Sequence, residues 1–347
     1  MRVALDAQLE VGTATGIGEY VRGLVPALRA RAIDVAVLQS PRLDPWRFDR
    51  RVLWDQVLLP AAALRARPDL LHCTASSVPI VPLRLPLVVT VHDVAWHRVQ
   101  QHTRLYARLY FRDAMARRFR AARAIVTDSV FSREELISCV GVDPGRVFVA
   151  YLGVDPQFAR VVRRPNDSHP FILAVGTVER RKALGIAIEA LAGIPDVRLV
   201  SVGPTTPYEQ ECRRRARALG ISERVVFRGY VGREELLTLY ATATLAIAPS
   251  LYEGFGYAAA QALCAGVPLL ASDAASHPEI VGDPAALIPA GDVGAWREAI
   301  AAMLADPATA RRRAAERRSE AVARFTWDSC ARETIAAYEY ALGAGSQ

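Results

Sequence analysis

The feature that most constrains this chain is a rhythm. Short β-branched runs alternate with longer amphipathic stretches, and the alternation runs through the chain twice. In the first half the runs are "RVALDA" (2–7), "DVAVL" (34–38), "LLHC" (70–73), "LVVTVHD" (87–93), "AIVTDS" (124–129) and "VFVAY" (147–151). Helical patterns fall between them, for example over 18–31 and 105–121. After the polar, two-proline segment "RRPNDSHP" (163–170) the pattern restarts with "FILAVG" (171–176), "VRLVSVG" (197–203), "RVVFRGY" (224–230), "ATLAIAPS" (243–250) and "PLLASD" (268–273). Strands alternating with helices predict a largely parallel sheet covered on both faces. The repetition predicts two α/β domains, 1–165 and 166–326, with a terminal helix over 327–342. In such sheets ligands bind at the carboxyl ends of the strands, so a cleft between two facing halves is the expected site.

Composition removes whole classes of function. With 347 residues, 52% apolar and 23% charged, the chain can build about two cores and is not disordered. Its five cysteines are odd in number, widely spaced and never in CxxC form, which argues against a disulfide framework or a zinc site and favours a reducing, cytoplasmic setting. The amino terminus turns polar too early for a signal peptide, and no apolar run reaches the length of a membrane span. The net charge of +7 is gathered in "RRFRAAR" (117–123), "RRR" (213–215) and "ARRRAAERR" (310–318). The last two read as solvated helix faces, and no nucleic-acid-binding signature accompanies them.

Three loops carry chemistry. "EVGTATGIGEY" (10–20) follows the first strand and brings Gly16 and Gly18 to the start of a helix. Val21 stands where a GxGxxG would need its third glycine, which disfavours nicotinamide and flavin cofactors. "VGTVERRKAL" (175–184) places Gly176 at the end of a buried strand and Arg180, Arg181 and Lys182 at the expected start of a helix. Cations there oppose the helix dipole, a local cost that a bound anion would relieve. "PSLYEGFGYAAAQALCAG" (249–266) is a strand end, an acid-bearing loop and a helix that Gly266 stops. Its amide N–H groups beside Gly254 and Gly256 suit a diphosphate, and the Glu253 carboxylate suits sugar hydroxyls. His92, in "TVHD" at the end of a strand with Asp93 beside it, joins the candidates because that position falls at the expected cleft edge.

These residues resemble the retaining nucleotide-sugar glycosyltransferases of family 4, which have the GT-B fold. The likeness runs through "ALDAQLEVGTATGIGEYVRGLVPAL", "LWDQVLLP", "LLHCTAS", "VVTVHDVAW", "AIVTDSVFSREEL", "RVFVAYLGVD", "VGTVERRKAL" and "SLYEGFGYAAAQALCAGVPLLASDAASHPEIVGD", in the family's order. The resemblance implies two Rossmann-like domains, acceptor-side first and donor-side second, with helix 327–342 crossing back to the first. It implies a catalytic set of His92, Glu253, Arg181 and Lys182, the basic pair neutralising the leaving diphosphate so that neither a metal ion nor a cofactor is required. Gly16, Gly18, Gly176, Val231, Gly254, Phe255, Gly256, Tyr257 and Gln261 would complete donor binding, with the nucleobase near 229–231. The reaction it implies is front-face transfer with retention, from GDP-mannose or a UDP-sugar to a glycan, lipid-linked or small-molecule acceptor.

One position departs from the family pattern. A second glutamate is usual eight residues after the first, and here it is Gln261. An amide keeps an acceptor and two donors but loses the charge, so weaker donor binding is the expectation, not lost catalysis. Two other readings of the fold are a catalytically silent nucleotide-sugar-binding protein and a sugar-nucleotide epimerase. Helix 104–121 is rich in both aromatic residues and Arg, and it reads either as core with a solvated face or as a seat on an anionic membrane.

Overall fold

The computed structural model describes residues 1–12, 16–44, 46–98, 114–166 and 168–343. It divides into two compact units, Met1–Gly153 with Phe325 onward, and Val154–Arg324. Each is a parallel six-stranded sheet flanked by helices.

In the first unit, β1 (Arg2–Asp6), β2 (Asp34–Leu38), β3 (Leu70–Cys73), β4 (Leu87–Thr90), β5 (Ala124–Thr127) and β6 (Val147–Val149) lie in the order β2-β1-β3-β4-β5-β6. The inner strands β3, β4 and β5 are buried at every residue, as expected of strands covered on both faces. The chain returns to this unit at its end. Helix Trp327–Leu342 packs on helix Gly16–Ala30 and over β4, β5 and β6. Its first residue fills a slot made by two glycines: a methyl group at Gly23 would lie 1.9 Å from the Trp327 ring, and one at Gly153 would lie 2.4 Å from its backbone nitrogen. Arg31 closes the helix start with two hydrogen bonds to Asp328, at 2.9 and 2.8 Å.

In the second unit, β7 (Phe171–Val175), β8 (Arg198–Val202), β9 (Val225–Phe227), β10 (Leu245–Ala248), β11 (Leu269–Ser272) and β12 (Leu287–Ile288) are ordered β12-β11-β10-β7-β8-β9. Strand β12 has two residues, too few to register as a run in the sequence. The chain runs outward from β7 to β9, then crosses back to place β10 on the other side of β7. The switch point therefore lies between β7 and β10.

Two sequence expectations shift. The segment 163–170 is not the boundary, because residues from Val154 already belong to the second unit. Phe158 is buried with its ring edge-on to Tyr240, 5.3 Å between centroids, and Arg163 donates to the Tyr240 and Ala243 carbonyls. A segment that looks like a polar linker is thus tied down by an aromatic and a guanidinium. For the aromatic, arginine-rich helix, 104–113 lie outside the described residues. Over Met115–Ala121 the apolar Met115 and Phe119 are core, while Arg118 and Arg120 donate to the Pro79 and Val140 carbonyls. Among the described residues no helix is long and apolar enough to cross a membrane.

Candidate active site

Most strands end one to three residues sooner than their apolar runs suggest, and the residues just beyond them form the site loops. At the carboxyl ends of β7, β8 and β10 lies a pocket lined by Gly176, Thr177, Lys182, Ser201, Ser250, Glu253, Gly256 and His277, with an apolar floor that includes Ile247 and Ala259. This is the switch point of the second sheet.

Glu253 is the centre of the pocket's electrostatics. It is 8% exposed, and both carboxylate oxygens are engaged. Lys182 Nζ and Ser250 Oγ donate to Oε1, the latter at 2.7 Å, and Arg181 Nη1 donates to Oε2 at 3.1 Å. Burial alone would raise this carboxyl, but Lys182 and then Arg181 outweigh it and hold it at about 2. The basic pair is not at a helix start, as the sequence suggests. Arg180–Lys182 form a 3-10 turn, and the following helix begins at Leu184. The cost assigned to cations on a helix dipole is therefore replaced by direct pairing with Glu253. Arg181 also laces two loops together: its carbonyl accepts from Leu251 N–H at 2.7 Å, and its guanidinium donates to the Tyr252 carbonyl at 3.1 Å.

Gly256 caps helix Tyr257–Ala265 in the left-handed region, with φ of 86°, where a side chain is strained. Gly254 and Phe255 are buried in the same loop, and Tyr257 opens the helix, but none of the three lines the pocket. Gln261, one turn further on, does not line it either. It is buried, and its Oε1 accepts from Tyr240 Oη at 3.2 Å. Val231 lies beyond the end of β9, outside the pocket lining. Ser250 and His277 are pocket residues that sequence reasoning misses. Neither carries a spacing signal, since each reaches the pocket only through the packing of β10 and β11.

The remaining predicted residues belong to the first unit. Gly16 and Gly18 are already helical, in the first turn of Gly16–Ala30, and residues 13–15 of the expected loop lie outside the described residues. Gly18 packs closely, since a methyl group there would sit 3.0 Å from the Leu9 carbonyl oxygen. His92 follows β4 with both ring nitrogens committed: Nδ1 is 2.7 Å from Asp128 Oδ2 and Nε2 is 2.9 Å from the Thr74 carbonyl. Burial pushes this imidazole down, but the Asp128 carboxylate outweighs it and raises it. Tyr20 stands edge-on to the ring at 5.0 Å.

Comparison with known proteins gives the family. Residues 156–320 match the family described as glycosyl transferases group 1, and residues 14–158 match glycosyltransferase family 4. The MMP alpha-(1->4)-mannosyltransferase of Mycolicibacterium hassiacum is 31% identical over 76% of this chain and 67% of its own length. The chain belongs to glycosyltransferase family 4. A D-inositol 3-phosphate glycosyltransferase of Mycobacterium sp. (strain JLS) is 34% identical over 56% of this chain, a match that spans about half (48%) of that relative's length. Sucrose-phosphate synthase from Thermosynechococcus elongatus shares the fold, with a TM-score of 0.81 at 24% identity over 99% of this chain and 100% of that one. This family 4 glycosyltransferase therefore has the two Rossmann-like sheets of the GT-B fold, and its pocket lies at the switch point of the second.

Proposed function

We propose that this glycosyltransferase moves a hexose, with retention, from a nucleotide-diphosphate sugar held in the pocket of the second unit to a hydroxyl of a glycan or lipid-linked acceptor. The observation that carries the reading is Glu253 clamped by Lys182, Arg181 and Ser250 at the switch point. A diphosphate competes with Glu253 for the two cations, and each charge-assisted hydrogen bond is worth about 1.5–3 kcal/mol. The carboxylate so relieved accepts hydroxyl hydrogens of the sugar. In the front-face step the bond from the anomeric carbon to the phosphate oxygen breaks and the acceptor oxygen bonds to that carbon. The acceptor's proton passes to the departing phosphate, whose charge Arg181 and Lys182 neutralise, so the reading calls for no metal or cofactor. His92 is held in place by Asp128 and the Thr74 carbonyl, which engage both of its ring nitrogens.

The mannosyltransferase relative supports mannose as the transferred sugar, and GDP-mannose is the donor to be weighed first against a UDP-sugar. Thermal-shift titration separates them, since a ligand that binds only the folded state raises the melting temperature with its concentration. GDP-mannose is expected to stabilise the protein more than UDP-glucose does. The reverse order overturns the donor, and a shift without transfer leaves the catalytically silent reading. Glu253→Ala is expected to keep the circular dichroism of the wild type and to lower transfer by at least about 100-fold. Co-sedimentation with anionic vesicles tests whether a lipid-linked acceptor is met at a membrane surface.

A further inference from the structure

His277 has no role in the family reading, yet it is built into the pocket. It opens the short helix His277–Val281 after β11 and is 1% exposed. Its tautomer is fixed by a chain of hydrogen bonds. Ser272 Oγ donates its one hydrogen to the Ser250 carbonyl, so its 2.8 Å contact with His277 Nδ1 is an Nδ1–H donation. The other nitrogen, Nε2, then carries the lone pair. Among the described residues it is buried with no hydrogen-bond partner in the protein. The room beside it exists because position 256 is glycine: a methyl group there would lie 2.8 Å from His277 Cδ2 and 3.1 Å from Nε2. Ser276 Oγ, also buried and without a partner, lies 4.0 Å from the same point.

A buried polar atom without a partner is costly and is uncommon unless a site uses it. We propose that His277 reads the transferred sugar, its Nε2 accepting the hydrogen of a sugar hydroxyl inside the pocket. The proposal rests on the donor-site reading above. The chemistry of the atom selects the ligand group: a lone-pair nitrogen needs an O–H or N–H, which a sugar supplies and a fully ionised diphosphate does not. Burial, reinforced by the nearby Lys182, lowers the imidazole and keeps it in this neutral, accepting form, although Glu253 opposes them. Glu253 and His277 then address hydroxyls of one sugar from two strand ends, with Ser250 hydrogen-bonded into both networks.

Nitrogen-15 spectra of histidine-labelled wild-type protein test this directly, titrated with GDP and then GDP-mannose, or with UDP and UDP-glucose if that pair binds. The His277 Nε2 resonance is expected to move with the nucleotide sugar and to stay in place with the nucleoside diphosphate. His277→Leu, which keeps most of the volume, is expected to weaken the nucleotide sugar about three- to ten-fold and to leave diphosphate affinity within about two-fold. An unmoved Nε2 resonance, or equal weakening of both ligands, overturns the assignment. Absence of any nucleotide-sugar binding by wild-type protein is a different result, and it overturns the donor-site reading itself.

Discussion

The same topological place is used in opposite ways in the two units. At the carboxyl ends of β1 and β3, the switch point of the first sheet, the crevice is filled by the protein's own polar side chains. Trp54 Nε1 donates to Asp6 Oδ1 at 2.9 Å, Arg51 reaches Asp6 at 3.5 Å and Asp55 at 3.0 Å, and Ser77 donates to Asp55. Gln8 is threaded between the Ser40 and Leu43 carbonyls. Of these, Asp6, Gln8 and Asp55 are 0% exposed. At the ends of β7 and β10 an acid and two cations also pair, but there Glu253 and Lys182 line a pocket and a histidine nitrogen is left over. A buried charge network packed into the core specifies a fold; one that lines a pocket is available to a ligand. Parallel α/β sheets offer the crevice in either case, and side-chain volume decides whether it becomes core or site.

The sharpest break of the closed network is Arg51→Ala, which leaves two buried carboxylates without their cation. It is expected to cost about 3–5 kcal/mol in urea denaturation followed by tryptophan fluorescence, four of the five tryptophans lying in the first unit. Donor affinity of the molecules that remain folded should be unchanged, and a matching loss of affinity would show that the crevice of the first unit belongs to the donor site.

The two networks should also answer pH in opposite senses. Burial, with Asp6 adding to it, raises Asp55 to about 6 against the opposing Arg51 and Ser77. Its contribution to stability is thus fully present below the ordinary carboxyl range and is lost as pH rises through about 6. Glu253, held at about 2, contributes fully above its ordinary value near 4.5 and loses that contribution as pH falls towards 2. Hydrogen exchange resolved to β1 and β3 against β7 and β10 should show the first unit loosening by about 2 kcal/mol between pH 4 and 6 and the second by a similar amount between pH 4.5 and 2.5. Parallel behaviour would erase the contrast.

The smallest effect is expected from Gln261→Glu. The carboxylate can accept the Tyr240 hydroxyl as the amide does, so the protein should stay folded and donor binding should tighten less than ten-fold. A larger gain measured by calorimetry would move position 261 from the closed side of the comparison to the open one.

Much of this is legible in the sequence for reasons that can be named. Parallel strands buried on both faces leave unbroken apolar runs, so eleven of the twelve strands are visible there and only two-residue β12 is not. Helices Arg233–Thr242, Tyr257–Ala265 and Trp327–Leu342 carry their own stops or caps, such as Gly266, Thr326 and Gly343, and their limits are readable from those signals. Of the predicted site, Gly176, Lys182, Glu253 and Gly256 line one pocket, with Arg181 bonded to Glu253. What the sequence leaves out is the partners. Gln261 reads as a ligand contact and meets Tyr240; Arg181 and Lys182 read as cations awaiting an anion and already hold one. His277 and Ser250 stay hidden because a serine and a histidine have no period or spacing of their own.

The sequence by itself therefore determined the two α/β repeats, the loops that carry chemistry and the residue types in them, because strand periodicity, glycine conformations and helix stops are local properties of the chain. Only the tertiary structure decided which charges neutralise each other, which crevice is plugged and which is open, and which nitrogen is left without a partner. Those outcomes depend on strands far apart in sequence lying side by side, and at buried distances near 3 Å the identity of the neighbour, not the residue alone, sets charge state and hydrogen bonding.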